Sequence, residues 1–171
     1  MKKLIPLAAL AAVSLSAQQA PPTLPQMGKR AFDTTNGYIA RAAEKMPEEH
    51  YGFKPSPDVR SFAGMVAHVL ETNYGACARL KGEKDNPKKG MEANPPAKAA
   101  IVEAAKGLGA YCAPIFEGLE VTTMFEPAPG RSSPKLGTVY GLVGHNWEHY
   151  GNLVTYMRIK GVVPPSSEPR N

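Results

Sequence analysis

The stretch with the clearest potential for chemistry is His145-Asn146-Trp147-Glu148-His149, in which two histidines stand four residues apart. The surrounding residues follow a helical apolar pattern, and positions four apart on a helix are neighbours on one face. Two imidazoles placed in this way can bind one transition-metal ion. A complete metal site needs at least one further ligand, which another part of the chain must supply.

Two other histidines are candidates for that ligand. His68 lies at the edge of an apolar stripe in a second predicted helix, whereas His50 stands in a connector beside two glutamates and is expected to be exposed. Burying neutral imidazoles without partners is costly, because each ring has a donor and an acceptor to satisfy. A facing pair and a third helical histidine therefore favour metal binding over a purely structural role.

Two known metal motifs offer alternative interpretations of the paired histidines. His145-x-x-Glu148-His149 matches the H-x-x-E-H pattern of the inverted zinc peptidases, in which the glutamate is the catalytic base. Those enzymes need a further acidic ligand well downstream, and only Glu168 follows His149, so we interpret the match as coincidental. A di-iron carboxylate bundle requires Glu-x-x-His motifs on two helices, and the sequence contains none.

Apolar residues at spacings of three and four predict four helices, each with one face that must leave water. Prolines and glycines interrupt the pattern between them and predict long loops. A bundle allows the four apolar faces to share one core, so we predict an all-α antiparallel four-helix bundle with long loops. The predicted helices span residues 28–46, 58–80, 96–119 and 136–160.

The N-terminus has the layout of a secretory signal peptide, predicted to span residues 1–17. Lys2 and Lys3 form a basic start, residues 4–13 are an apolar run, and small residues follow as far as Ala17. That run is too short to cross a membrane, which takes about 20 residues. We therefore expect an exported protein, periplasmic or secreted, with no stable membrane insertion after cleavage.

The remainder of the chain divides into three predicted parts. A proline-rich linker is expected at residues 18–27, the bundle at residues 28–163, and a flexible tail at residues 164–171. The bundle carries two cysteines, Cys77 and Cys112, both in predicted helices. An oxidising compartment allows a disulfide, but buried free thiols are also common in helix cores, so the sequence leaves both states open.

The charge of the chain argues against a nucleic-acid partner. The formal net charge is +5, and removal of Lys2 and Lys3 lowers it to +3. A nucleic-acid surface would need a basic face with aromatic residues between the charges. The one cluster of lysines, at residues 81–89, is interrupted by two acidic residues and a proline, so we expect a solvated loop there.

Four segments of the chain occur in an order and spacing typical of one protein family. They are a connector at residues 53–61, a histidine segment at 67–74, the paired-histidine segment at 145–152 and a closing segment at 156–165. Together they resemble the DinB-like superfamily of bacterial four-helix bundles, which includes damage-inducible and thiol-transferase relatives. The resemblance implies that His68, His145 and His149 form a three-histidine site for one divalent metal. Imidazole suits zinc, nickel and iron alike, so the ligands do not identify the metal.

The resemblance leaves the activity open between two classes. Relatives include thiol-dependent transferases and isomerases, whose thiols are cytoplasmic, whereas this chain is expected to be exported. One expectation is a metal-dependent hydrolase or transferase of a small-molecule substrate, with Glu148 either as the base or as a solvent-facing residue. The other is a non-catalytic metal- or small-ligand-binding module. Trp147 is predicted to point away from the histidine face, either as the anchor of a homodimer or packed against a neighbouring helix.

Overall fold

A computed structural model describes residues 20–169 of the protein, so the predicted signal peptide lies outside the described residues. Four helices form the fold, and the all-α four-helix bundle predicted from the sequence is confirmed. They are α1 (Leu24–Lys45), α2 (Phe62–Leu80), α3 (Lys98–Glu117) and α4 (Lys135–Ile159). Short 3₁₀ turns lie at Glu48–His50, Thr123–Phe125 and Pro165–Ser167.

The predicted antiparallel arrangement holds for two of the four interfaces between helices, and the other two interfaces run parallel. α1 packs against α3 and α4, and α2 packs against the same two helices. α1 and α4 run parallel, because Leu24 meets Tyr140 and Thr35 meets Asn146. The α1–α3 and α2–α4 interfaces run antiparallel, as seen in the pairs Phe32–Phe116, Glu44–Lys106, Arg60–Tyr156 and Asn73–Asn146.

The loop between α2 and α3 crosses the length of the bundle. α2 and α3 run parallel, since Tyr74 donates a hydrogen bond to the carbonyl of Ala104 and Cys77 is bonded to Cys112. The chain must therefore return from the end of α2 to the start of α3 along residues 81–97. We refer to this segment as the crossover loop.

The crossover loop is bound to the middle of α2 by one glutamate. Glu71 accepts hydrogen bonds from the backbone N–H groups of Gly90, at 2.9 Å, and Glu92, at 2.8 Å. The side chain of Asn86 donates to the backbone carbonyl of Glu71 at 2.9 Å. Because Glu71 stands one turn after His68 on α2, these contacts place Glu92 beside that histidine.

The first helix begins earlier than predicted. α1 starts at Leu24, inside the segment 18–27 that we predicted as a linker, so that prediction is wrong from residue 24 onwards. Thr23 and Gln26 form a reciprocal capping box, which satisfies backbone donors that would otherwise lack partners. Pro25 stands in the first turn, where a missing N–H is harmless. Pro25 is thus compatible with the start of a helix.

One polar layer crosses the largely apolar interior of the bundle. Asn73 donates to Asn146 Oδ1 at 2.8 Å, and Asn146 donates to Thr35 Oγ1 at 3.2 Å, so the layer joins α2, α4 and α1. All three of these side chains are fully buried. Around them, each fully buried large side chain contributes about 1.5–3 kcal/mol of hydrophobic stabilisation. The largest include Phe32, Ile39, Phe62, Leu70, Ile101, Leu108, Leu153 and Met157.

The apolar character of α3 reflects its place in the core. Among residues 20–169, α3 is the one helix with sufficient length and mean hydropathy, 1.2 over 18 residues, to cross a membrane. A core helix of a bundle meets the same criterion, and α3 buries one side against α1 and α2. Cys112 on that side forms a disulfide with Cys77, with the two Cα atoms 5.5 Å apart. The structure thus resolves the cysteine pairing that the sequence left open.

The C-terminal segment is more ordered than predicted. We expected a flexible tail from residue 164, but Pro165 is buried and residues 165–167 form a 3₁₀ turn against α1. The backbone N–H of Ser166 donates to the Tyr150 hydroxyl, which donates in turn to Ser166 Oγ, each at 2.9 Å. Glu168 forms an ion pair with Lys45. The tail prediction is wrong as far as Glu168, because prolines also pack well against a helix surface.

The disulfide should contribute measurably to stability. It closes a loop between positions 35 residues apart, for which loop-closure entropy alone corresponds to about 3–4 kcal/mol. We expect reduction of the metal-free protein with a phosphine to lower the free energy of unfolding by about 2–4 kcal/mol and the thermal midpoint by roughly 5–15 °C. The Cys77→Ala/Cys112→Ala variant is the control and should not respond to reductant. Two free thiols in the unfolded, unreduced wild type would contradict the pairing.

Candidate metal centre

The antiparallel α2–α4 interface brings the three predicted histidines together. His68 comes from α2, and His145 and His149 come from successive turns of α4. Their ring centroids lie 4.4–5.1 Å apart. One ring nitrogen from each histidine lies within 4.8 Å of the corresponding atoms of the other two. His149 is buried, and His68 and His145 are half-buried.

The separation of the ring nitrogens fits ligands that share one ion. Zn–N bonds of about 2.0–2.1 Å place adjacent ligand nitrogens of one ion roughly 3.0–3.4 Å apart. The Nε2 atoms of His68 and His145 are 3.1 Å apart. His145 Nδ1 is buried and has no hydrogen-bond partner among the described residues. The Nδ1 atoms of the other two rings have protein partners, Glu92 for His68 and Asn152 for His149.

A carboxylate from the crossover loop orients His68. The Nδ1–H of His68 donates to Glu92 Oε2 at 2.7 Å, which turns Nε2 toward the other two histidines. Glu92 Oε1 accepts from the guanidinium of Arg60 at 2.8 and 2.9 Å. Arg60 is itself held by Tyr156 of α4, whose hydroxyl donates to the Arg60 carbonyl at 2.7 Å. Carboxylate–histidine pairs of this kind fix the tautomer and orientation of metal-binding imidazoles.

Burial keeps the histidines of α4 in the form that binds metals. Burial, together with smaller effects of the nearby His149 and His68, lowers the pKa of His145 to about 4. Burial, followed by His68, also lowers the pKa of His149. The hydrogen bond from His68 lowers the pKa of Glu92, and Arg60 adds to that effect. Both rings of α4 are therefore neutral near pH 7, and protons do not compete for their lone pairs.

Two clefts reach the two histidines of α4. The first, of about 600 Å³, extends along the groove between α2 and α4 and reaches His145 and Glu92; we call it the α2–α4 groove. The second, of about 740 Å³, reaches His149 and is also lined by Glu148 and Arg60. Each cleft is thus lined by one of the two histidines of α4, and His68 lines neither.

Three further residues near the histidines, Glu148, Trp147 and Glu92, differ in exposure and in contacts. Glu148 is exposed and lines the second cleft beside His149. Trp147 is 45% exposed and packs against Tyr38 and Tyr150. Glu92 was missed by the sequence analysis, because it stands 24 residues from His68 in a loop without periodicity. No local sequence signal distinguishes it from the other acidic residues of that loop.

Comparison with known proteins agrees with the geometry. A profile of the DinB superfamily matches residues 31–153, which include all three histidines and more than two thirds of the chain. Curated proteins provide no significant match. The matched region begins within α1 and ends within α4, so it includes part or all of each of the four helices. The chain belongs to the DinB superfamily.

Proposed function

We propose that the protein binds one divalent transition-metal ion through His68, His145 and His149 and uses it for hydrolysis or group transfer on a small molecule. The observation that carries this proposal is the convergence of three ring nitrogens within 4.8 Å at the α2–α4 interface. Membership of the DinB superfamily supports it. When bound to three neutral ligands, such an ion supplies Lewis-acid chemistry at its open positions, polarising a carbonyl, phosphoryl or thiol group.

The side chains around the histidines divide into positioning and proton-transfer candidates. Glu92 and Arg60 hold His68 in a fixed orientation, so that its Nε2 faces the other two rings. Glu148 and Asp58 are the acidic side chains that line the second cleft with His149. Glu148 stands beside His149 on the same helix, so it is the better placed of the two to accept a proton from a substrate in that cleft.

Single histidine variants test the metal site. We expect His68→Ala, His145→Ala and His149→Ala each to weaken zinc or nickel binding at least tenfold, equivalent to about 1.4 kcal/mol, because each removes one of three ligands. His50→Ala is the matched control, since His50 lies in the 3₁₀ turn after α1 and should leave affinity unchanged. Mass spectrometry of bound metal and competition with a chelator provide the measurements. Unchanged metal content in all three variants would contradict the proposal.

Turnover separates an enzyme from a non-catalytic binding module. The metal-loaded protein should be assayed against panels of esters, amides and thiol-reactive electrophiles. Turnover that is lost in His149→Ala and retained in His50→Ala supports a hydrolase or transferase. Stoichiometric metal binding without histidine-dependent turnover on any panel supports the alternative, a metal- or small-ligand-binding module.

The orientation of His68 by Glu92 has its own test. We expect Glu92→Gln to weaken metal affinity about 10- to 100-fold, as is usual for loss of a carboxylate that orients a metal-binding histidine. The thermal midpoint of the metal-free variant should change little, because Gln retains the shape of the side chain. Glu103→Gln is the control, since Glu103 is exposed on α3 away from the site. Affinity within twofold of wild type would show that Glu92 does not position His68.

We further propose that the protein works outside the cytoplasm. Support comes from the signal-peptide layout of residues 1–17 and from the Cys77–Cys112 disulfide, since disulfides persist in oxidising compartments. Expression of the full chain in a bacterial host should yield a product that is shortened at its N-terminus and recovered from the periplasm or medium. Intact mass and fractionation measure this, and a full-length product confined to the cytoplasm would contradict it.

A further inference from the structure

The α2–α4 groove is lined by the faces of α2 and α4 that carry the histidines. On α2, residues four, seven and eleven positions after His68 line it; on α4, residues four, seven and eight positions before His145 do so. Such spacings keep residues on one side of a helix. The groove therefore leads from the histidines toward the start of α4. The lining residues at these positions are Thr72, Gly75, Arg79, Gly137, Thr138 and Gly141.

Two arginines at the far end of the groove lack acidic partners. Among residues 20–169, neither Arg79 nor Arg131 forms an ion pair or a side-chain hydrogen bond. The two acids of the groove are already engaged within the fold. Glu71 accepts two backbone N–H groups, and Glu92 binds His68 and Arg60. The arginines are thus the charges left available to a ligand.

Other polar groups near the two arginines also suit an anion. No side chain caps the first turn of α4, although the backbone N–H groups of Lys135 and Gly137 donate to the carbonyls of Glu126 and Pro134. Ser133, just before α4, lines the groove as well. The buried hydroxyl oxygen of Thr138 has no hydrogen-bond partner in the described part of the chain.

The floor of the groove is kept open by glycines. A Cβ atom added at Gly137 or Gly141 would meet no atom within 4 Å. Glycine in a helix interior is destabilising by about 1 kcal/mol relative to alanine. The two glycines lie on the face that leads to His145 and leave room for a ligand, although they lower the stability of the helix.

We propose that the α2–α4 groove binds an elongated organic anion, held at its acidic end by Arg79 and Arg131 and reaching the three histidines with its other end. This inference rests on the proposed function, because it defines a substrate or ligand class for the same site. Arg79 stands 11 residues beyond His68, or roughly 16 Å along the helix axis at 1.5 Å per residue. Arginine side chains lean toward the helix N-terminus, so the ligand needs a length nearer 10 Å. A carboxylate or a phosphate group would satisfy the guanidinium groups.

Binding of rigid aromatic probes tests the role of the arginines. Biphenyl-4-carboxylate and biphenyl-4-yl phosphate carry the acid at one end, and biphenyl-4-carboxamide is their neutral counterpart. Each probe should be titrated into the mature protein, in its metal-free and zinc-loaded forms, and binding followed by NMR. We expect an anionic probe to bind more tightly than the amide, and Arg79→Gln/Arg131→Gln to weaken anion binding at least tenfold in both forms. Arg30→Gln, an exposed arginine on α1, should leave it unchanged.

Filling the groove provides a second variant that does not depend on removing charge. Gly141→Leu introduces a side chain into open space and improves helix propensity, so it should fold and should weaken probe binding at least tenfold. Gly151→Leu is the matched control, because Gly151 is also an open glycine of α4 but does not line either cleft. The relative affinity of the two acids identifies the preferred anionic group.

The outcomes distinguish this inference from the proposed function. Equal binding of acid and amide, no binding of any probe, or insensitivity to both groove variants would overturn the inference while leaving metal binding intact. Anion binding that appears only with zinc and does not depend on the arginines would place the acid on the metal, and would also overturn it. Loss of metal binding by the wild type would refute the proposed function even if the metal-free groove bound the probes.

Discussion

The parallel course of α2 and α3 is the constraint on which the rest of this structure depends. Two successive helices that run in the same direction cannot be joined by a tight turn, so residues 81–97 must travel back along the bundle. That return path brings the loop past the middle of α2, where Glu71 binds it. Glu92 reaches His68 as a direct result. A simple up-and-down bundle would have a short turn here and no carboxylate at this position.

The polar layer in the core sets the relative position of the two helices that carry the histidines. Asn73 and Asn146 form a hydrogen bond across the α2–α4 interface. Asn146 directly follows His145, so it lies between the two histidines of α4. Sliding α4 by one turn would leave both amides unpaired in an apolar core, at about 1–3 kcal/mol for each unsatisfied group. Apolar side chains tolerate such shifts better, because their contacts are not directional. The layer therefore favours the one register in which His68 meets His145 and His149.

The sequence predicted those parts of the structure that repeat along a helix. The four helices and the shared face of His145 and His149 follow from periodicity, and the family resemblance added His68. Periodicity contains no information about loops, so it could not indicate that Glu92 folds back onto His68. The cysteine pairing depends on a distance between helices, and the order of the tail depends on the packing of Pro165 against α1. The predicted antiparallel directions hold for α1–α3 and α2–α4 but not for α1–α4 and α2–α3, because long loops are compatible with either direction.

The disulfide has a consequence for the dynamics of the metal centre. Cys77 and Cys112 close the chain into a covalent ring, and the whole crossover loop, Glu92 included, lies within that ring. If the hydrogen bonds to Glu71 open, the loop can move away only as far as its two fixed ends allow. The effective concentration of the Glu92 carboxylate near His68 therefore remains high during such local opening, and reclosure is fast. A bond more than 10 Å along α2 from His68 by helix rise thus limits how long that histidine can lose its orienting partner.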